Sequence, residues 1–242
     1  LLLIVFWRTN QLPVKYSSIL YLDLIRVKEI FKVGLPAALE QVIFQVGITA
    51  FLILVALYGT EAYAAYGIGV QILSFAFVIG FGFSVAGATL VGQHLGAGNP
   101  NQARRAGWGA MRLSIISMTF FGISLAFFAE PLARYMIDND EVVRLAVVFI
   151  WLLGSMQPFM AIEFSLGGAL RGAGDTKTPL VITLTCLLFI RVSLALIFYM
   201  LDASIEVIFS TLVADYVVKG FLYVGRFKSN KWMNVMKLKE DI

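Results

Sequence analysis

Apolar residues form long runs in this chain, and short polar stretches separate these runs at regular intervals. Between Lys32 and Glu61 the only charged residue is Glu40, and residues 62–93 carry no charge. Runs of about 18 or more predominantly apolar residues are typical of membrane-spanning helices. The pattern predicts six spans, which lie near residues 33–57, 64–92, 106–128, 143–170, 178–200 and 206–226.

The composition supports a membrane protein. Hydrophobic residues make up 60% of the chain and charged residues 14%, whereas a soluble domain has roughly 25% charged residues. The apolar runs are also too long and too evenly spaced for the core of a globular domain. We therefore predict an all-α integral membrane protein with six transmembrane helices.

Basic residues are divided unequally between the connections on the two sides of these spans. One set contains fourteen Lys and Arg residues, and the other contains one, Arg134. The basic set comprises residues 8–32, 93–105, 171–177 and 226–242, and the opposite set comprises residues 58–63, 129–142 and 201–205. Because basic connections mark the cytoplasmic side, we expect a multi-pass protein of the cell (inner or plasma) membrane, with both ends of the six-span block in the cytoplasm. The net charge of +4 then requires no nucleic-acid partner.

The sequence divides into four predicted segments. Residues 1–7 are apolar and have no basic segment before them, so they are more typical of the tail of a preceding transmembrane helix than of a signal peptide. The chain is accordingly expected to be a fragment. Residues 8–32 are predicted as a cytoplasmic linker, 33–227 as a six-helix transmembrane lobe, and 228–242 as a cytoplasmic tail.

No catalytic or metal-binding pattern is evident. Cys186 is the only cysteine and lies in a span, and His94 is the only histidine. A disulfide framework and a cysteine metal site are therefore excluded, and the chain lacks the Gly-x-x-x-x-Gly-Lys-Ser/Thr phosphate loop. We predict that the protein is not an enzyme and that it has no cofactor and no metal centre.

A glycine-rich motif follows two of the spans. "LGAGNPNQARRAG" ends the second span, and "LRGAGDTKTP" ends the fourth. Both place Gly-Ala-Gly before Asn or Asp, a proline and a basic residue. One interpretation is a glycine at a helix end with proline beyond it. The repetition at equivalent positions favours a more specific role.

Four stretches resemble the second half of multidrug and toxic compound extrusion (MATE) transporters. They are "GLPAALEQ" (34–41), "VGQHLGAGNPNQARRAGW" (91–108), "GALRGAGDTKTPL" (168–180) and "GRFKSNKW" (225–232). The resemblance covers essentially the whole chain. It implies one lobe of a twelve-helix, two-lobe transporter that exchanges protons or sodium for organic, often cationic, compounds. The implied partners are small organic substrates, the lipid bilayer and the N-terminal lobe of the same transporter.

The same resemblance implies that the two glycine motifs are cytoplasmic hinge loops. The residues concerned are Gly92, Gln93, Gly96, Gly98, Arg171, Gly172, Gly174 and Asp175.

Two carboxylates lie inside the predicted spans, where ionisable groups are costly and commonly functional. Glu40 comes eight residues after Lys32, and Glu163 comes eight residues before Arg171. A rise of ~1.5 Å per residue puts both about 12 Å from the cytoplasmic boundary. Two carboxylates at one depth suit a shared proton or a small cation. The alternative for Glu163 is an ion pair with Arg171 or with another loop arginine.

Glu40 is the stronger candidate for the coupling site. Pro36 precedes it, and Gln41 and Gln45 follow it, so this helix combines a predicted kink with polar groups. The resemblance also implies an acidic residue at this place in the seventh span. The alternative role for Glu40 is structural: its carboxylate caps or hydrogen-bonds the helix beside the proline kink. The chain lacks the carboxylate that the family carries nearer the middle of its tenth span, so the choice between proton and sodium stays open.

A further set of intramembrane charges comprises Arg191, Asp215 and Lys219. Arg191 and Asp215 are predicted at similar depth on neighbouring antiparallel helices, and their opposite signs favour an ion pair. Lys219 lies one helical turn after Asp215 and is placed to share it. The simplest interpretation is a structural link between the fifth and sixth spans, and the alternative is a site for an anionic substrate or for coupling.

Two other functions have the same membrane architecture. A flippase for lipid-linked precursors needs several cavity arginines to hold a diphosphate, and here only Arg191 and Arg112 qualify. A non-transporting membrane assembly protein has no need of Glu40, Glu163 and Arg191 within its spans. The residues therefore favour a cation-coupled antiporter that works by alternating access.

Overall fold

A computed structural model of the chain describes residues 24–233, and throughout this range the secondary structure is helical, with no strand. The helices are α1 (Leu24–Ala56), α2 (Thr60–Gly96), α3 (Pro100–Phe127), α4 (Ala129–Met136), α5 (Asp140–Gly172), α6 (Lys177–Cys186), α7 (Ser193–Met200) and α8 (Ile205–Lys228). A π-helical segment, Leu187–Val192, joins α6 to α7 in one continuous helix. A 3-10 turn covers Lys231–Met233.

The prediction of six transmembrane helices in an all-α fold is confirmed. Among the described residues, six helices are long and apolar enough to cross a membrane: α1, α2, α3, α5, the continuous α6–α7 helix, and α8. The helix that contains the first span begins at Leu24, so residues 24–32 of the predicted linker are helical and continuous with it. The predicted segment 1–7, linker residues 8–23 and tail residues 234–242 lie outside the described range.

The connection between the third and fourth spans contains the short helix α4, which the hydropathy pattern did not predict. Arg134 on α4 forms ion pairs with Glu130 at 2.9 Å and with Asp140 at 3.0 Å. Asn139 then caps α5, because its side-chain oxygen accepts hydrogen bonds from the backbone N–H groups of Glu141 at 3.0 Å and Val142 at 3.1 Å. These contacts fix the start of α5.

The compact unit that begins at Pro36 contains two hydrophobic clusters. In the larger cluster, the ring of Phe149 packs against those of Tyr66 and Phe209, with centroids 5.3 and 4.4 Å apart. In the smaller cluster, Phe227 stacks on Trp232 with ring centroids 4.6 Å apart. Aromatic residues thus anchor both clusters.

Small residues allow α2 and α5 to approach until their backbones touch. A methyl group added at Gly168 would overlap the carbonyl oxygen of Ser84, and one added at Gly172 would overlap that of Ala88. Close backbone contact is the usual means by which helices associate in a membrane, where lipid chains are as apolar as the side chains. The glycines of the second sequence motif therefore form part of a packing seam between α2 and α5.

The contact between α3 and α5 is built in the same way. A methyl group at Gly122 would lie 2.6 Å from the carbonyl oxygen of Gly154, and one at Gly154 would lie 2.8 Å from that of Gly122. Pro158 lies four residues after Gly154 and has no N–H to donate to this carbonyl. α5 is thus held on two sides through glycine contacts, which makes it the central helix of the unit.

We expect Gly168→Leu to destabilise the protein, because the new side chain meets the backbone of α2, which cannot move aside as a flexible side chain can. Overpacking of this kind costs about 1–3 kcal/mol. The matched control is Gly82→Leu on α2, since a methyl group there meets no atom within 4 Å. Melting temperatures measured in one detergent should fall for Gly168→Leu and not for Gly82→Leu. Equal melting temperatures for the two variants would contradict the proposed seam.

Candidate functional site

A cavity of about 470 Å³ lies among α1, α2, α5, α6 and α8. Its lining combines charged and polar side chains with a group of phenylalanines. The lining residues are Ala37, Glu40, Gln41, Phe44, Gln45, Ile48, Phe77, Phe81, Ser84, Glu163, Phe164, Arg171, Thr183 and Tyr216. All four residues proposed from the sequence as coupling-ion or substrate contacts, Glu40, Gln41, Gln45 and Glu163, therefore border one space.

Glu40 pairs with Arg171 across the cavity. One terminal nitrogen of Arg171 lies 3.0 and 3.1 Å from the two carboxylate oxygens of Glu40, and the other donates a hydrogen bond to the Ser84 hydroxyl at 3.1 Å. Arg171 on α5 thus connects Glu40 on α1 to Ser84 on α2. The alternative prediction that Arg171 pairs with Glu163 is wrong, because Glu40 takes its place.

Glu163 faces a different base. Its Oε1 lies 3.7 Å from Nζ of Lys219, and its buried Oε2 has no hydrogen-bond partner among the described residues. The Thr183 hydroxyl, which lines the same cavity, is likewise buried without a partner in that range. Buried polar atoms are normally hydrogen-bonded, so this wall of the cavity has unused capacity for a proton, an ion or a polar ligand.

Behind Glu163 the charges continue as a line through the protein interior. Lys219 Nζ lies 3.2 Å from Oδ2 of Asp215, and Nη2 of Arg191 lies 2.8 Å from the same oxygen. Lys219, Asp215 and Arg191 are all at most 3% exposed. The structure therefore brings together the three residues proposed as an intramembrane ion pair, and extends the line to Glu163.

The backbone that carries Arg191 is irregular. Arg191 lies within the π-helical segment Leu187–Val192. Segments of this kind are rare in proteins as a whole, and those that occur are often found at functional sites. The ring of Tyr216 covers the two bases, with Nζ of Lys219 5.1 Å and the guanidinium carbon of Arg191 5.7 Å from its centroid. Tyr216 also lines the cavity, so this one side chain borders both the cavity and the two buried bases.

Four phenylalanines form the apolar wall of the cavity. Phe164 makes edge contacts with Phe77 and Phe81, with ring centroids 5.7 and 5.2 Å apart, and Phe44 contacts Phe77 at 5.9 Å. Aromatic faces attract organic cations through their quadrupoles. The cavity therefore combines an aromatic surface with two carboxylates.

The prediction that both glycine motifs form loops is wrong for five of the eight residues. Gly92, Gln93 and Gly96 lie in the last turns of α2, and Arg171 and Gly172 lie in the last turn of α5. The helices continue this far because the two ends pack together: a methyl group at Gly92 would lie 3.1 Å from the carbonyl oxygen of Gly172.

The other three residues occupy turns. Gly98 and Gly174 have φ angles of 73° and 80°, a conformation that glycine adopts without strain. Asp175 accepts hydrogen bonds from Arg226 at 2.9 and 2.6 Å and from the Thr178 hydroxyl at 2.8 Å. The second motif is thus tied to the end of α8, a contact that the sequence pattern did not reveal.

Sequence reasoning also missed several cavity residues. Ser84, Phe164, Thr183 and Tyr216 border the site and are ordinary members of apolar helices. One signal was present for Phe164, which follows Glu163 directly. Whether Ser84, Thr183 and Tyr216 line the cavity depends on how distant helices pack together, and no local sequence pattern indicates this.

Comparison with known proteins assigns the chain to a family. Residues 36–197 match the MatE family model. A probable multidrug resistance protein NorM from Thermotoga maritima is 32% identical over 234 residues, which cover 93% of this chain and 47% of that protein. A probable NorM from Mesorhizobium japonicum is 33% identical over 162 residues, covering 64% of this chain and 34% of that protein. The chain spans about half the length of the first of these relatives.

Solved structures agree on the fold. The MATE transporter VcmN of Vibrio cholerae superposes with a TM-score of 0.81 at 18% identity, over 91% of this chain and 51% of that one. The MATE transporter ClbM, solved in complex with Rb⁺, also gives a TM-score of 0.81, at 21% identity over 88% of this chain and 50% of that one. Members of this family are membrane transporters and not enzymes. The match to the family model over two thirds of the chain, together with the relative in Thermotoga maritima, shows that this chain belongs to the MATE family.

Proposed function

We propose that this chain is the C-terminal six-helix lobe of a cation-coupled antiporter that exports organic, often cationic, compounds by alternating access. The curated relatives are described as probable multidrug resistance proteins, which supports export of small organic molecules. The observation that carries the proposal is the cavity, because Glu40 and Glu163 face the same space as the wall of phenylalanines. The coupling ion is a proton or sodium, and no cofactor is required.

The proposed coupling step acts on the ion pair between Glu40 and Arg171. A proton or sodium ion that binds Glu40 neutralises its charge, so α1 loses its link to α5 while Arg171 keeps its hydrogen bond to Ser84. Removing one charge from this partly buried pair changes the local energy, and a change of a few kcal/mol is enough to reverse a two-state preference of the same size. Pro36 lies one turn before Glu40 on α1, where the helix is already short of one hydrogen bond.

Exchange requires that the ion and the compound compete. A bound organic cation lies against the aromatic wall, and the carboxylates neutralise its positive charge. Neutralising Glu40 removes part of that attraction and favours release. Alternating access then follows if the charged and neutral forms of the site favour opposite openings of the two lobes.

The flippase alternative has less support. Among the described residues that line the cavity, Arg171 is the only arginine, and it is already paired with Glu40. Arg191 is buried in its contact with Asp215, and Arg112 is not among the lining residues. A diphosphate would therefore meet one engaged base and two carboxylates.

We expect Glu40→Gln to abolish coupling in the complete protein that contains this chain, because glutamine cannot change its charge. The protein is reconstituted into liposomes, and export of a fluorescent organic cation is followed under an imposed proton gradient and then under a sodium gradient. The gradient that drives the wild type identifies the ion. The driven rate should fall at least tenfold in the variant, about 1.4 kcal/mol.

Two further variants control for structure. Glu61→Gln removes a carboxylate at the exposed start of α2 and should leave coupling unchanged. Glu40→Asp keeps the charge and should retain part of it. If Glu40→Gln transports like the wild type, Glu40 has a structural role. If neither gradient drives any cation, the flippase proposal is favoured instead.

We also expect Phe77→Ala and Phe81→Ala to weaken binding of the organic cation, because each removes an aromatic face from the cavity. An aromatic contact to a cation contributes ~0.5–2 kcal/mol, so KM should rise roughly 2- to 30-fold with the same coupling ion. The control is Phe75→Ala on the same helix, whose ring is 64% exposed and does not line the cavity. An equal rise in KM for all three variants would show that the effect is not local to the cavity.

A further inference from the structure

A second concave surface lies on the outside of the unit, along the first half of α3. This surface groove has a volume of about 560 Å³ and is lined by Asn101, Arg104, Arg105, Trp108, Gly109 and Arg112. It shares no residue with the cavity described above. Three of its six residues are arginines, so the groove carries a concentrated positive charge at one end of a helix that is long enough to cross a membrane.

The arginines of the groove have no acidic partner in the part of the chain that the structure describes. The ion pairs found there engage Arg134, Arg144, Arg171, Arg191, Lys219 and Arg226, and none involves Arg104, Arg105 or Arg112. All three side chains are exposed. Three like charges on one helix repel each other, and an anion that binds among them relieves this repulsion.

The groove continues into an apolar surface on the same helix. Leu113, Ile116, Phe120, Ile123 and Phe127 are 60–80% exposed and follow Arg105 and Arg112 at helical spacing. The opposite face of α3 is buried, from Ala103 to Leu125. A surface of this length and polarity suits hydrocarbon chains, so the arginines lie where the headgroup of a lipid on that surface would be.

The remaining lining residues shape the groove for a headgroup. Gly109 lies between Arg105 and Arg112, and a methyl group there would meet no atom within 4 Å, so the helix surface is open at this point. Trp108 is half-buried and makes an edge contact with Phe227 at 5.2 Å. Tryptophan favours the boundary between headgroups and hydrocarbon, and guanidinium groups match phosphate oxygens in geometry and charge.

We propose that this groove is a binding site for an anionic phospholipid. The phosphate of the lipid binds Arg104, Arg105 and Arg112 beside the indole of Trp108, and the acyl chains follow the exposed apolar surface of α3. Basic residues next to a span also have a general role, since together they set the orientation of the protein in the membrane. That role is spread over many residues in several connections. A lipid-binding site differs from it because three bases surround one open groove and hold one lipid molecule.

The test measures retention of lipid by the complete protein that contains this chain. The protein is purified in detergent, mixed with phosphatidylglycerol or phosphatidylcholine, and examined by native mass spectrometry. We expect the wild type to retain phosphatidylglycerol at least tenfold better than phosphatidylcholine. The triple variant Arg104→Gln, Arg105→Gln, Arg112→Gln should lose most of this preference, whereas Arg134→Gln, whose guanidinium is paired with Glu130 and Asp140, should keep it.

A second variant keeps every charge and closes the groove. Gly109→Trp places a large side chain where the helix surface is open, and it should reduce retention of phosphatidylglycerol about as much as the triple variant does. Equal retention by wild type, Gly109→Trp and the triple variant would overturn the proposal. Equal competition by glycerophosphoglycerol, which has the headgroup without acyl chains, would overturn it in favour of a simple phosphate site. A wild type that retains neither lipid would also overturn it and indicate that another part of the protein covers the groove.

Discussion

The line of buried charges from Arg191 through Asp215 and Lys219 to Glu163 is the constraint around which the rest of the unit is arranged. Along α5, α8 and the continuous α6–α7 helix, these side chains fall where the larger hydrophobic cluster ends and the smaller one begins. Each charge is costly to bury alone, and losing one partner of such a pair costs about 3–5 kcal/mol. The three helices must therefore keep their relative depth, and Arg191 makes its contact with Asp215 from within the π-helical segment.

This line also explains how the two carboxylates of the cavity differ. Glu40 has a full partner in Arg171 at 3.0 Å, and that partner connects α1 to the paired helices α2 and α5. Glu163 has a more distant partner in Lys219 at 3.7 Å, and Lys219 is shared with Asp215. A charge change at Glu40 therefore acts on the contact between α1 and α5, whereas a change at Glu163 acts on the contact between α5 and α8 and on the buried charges behind it. The shorter contact of Glu40 with Arg171 is consistent with the proposed coupling role of Glu40.

Hydropathy was sufficient to predict the number and approximate bounds of the spans, because the membrane requires about 20 apolar residues in each. Counting residues from the span ends was sufficient to predict that Arg191 lies near Asp215, since opposite charges in a low dielectric have few other partners. The same counting put Glu40 and Glu163 at one depth but offered Glu163 and not Glu40 as a partner for Arg171, because depth does not specify which helices face each other. The π-helical segment and the cavity residues Ser84, Thr183 and Tyr216 depend on contacts between distant helices, and no spacing within the sequence encodes them.

The balance of charge around the cavity has a consequence for how membrane voltage acts on this lobe. Glu40, Glu163 and Asp215 are three carboxylates, and Arg171, Lys219 and Arg191 are three bases, so in their ionised forms the six groups cancel. A potential across the membrane does about 2.3 kcal/mol of work per elementary charge per 100 mV. When no ion is bound, the net charge of these six groups is zero, so the potential does no net work on the group as a whole. One bound proton or sodium ion gives the group a net charge of +1. If the proposed coupling holds, voltage acts on the lobe that has a proton, a sodium ion or an organic cation bound, and not on the empty lobe.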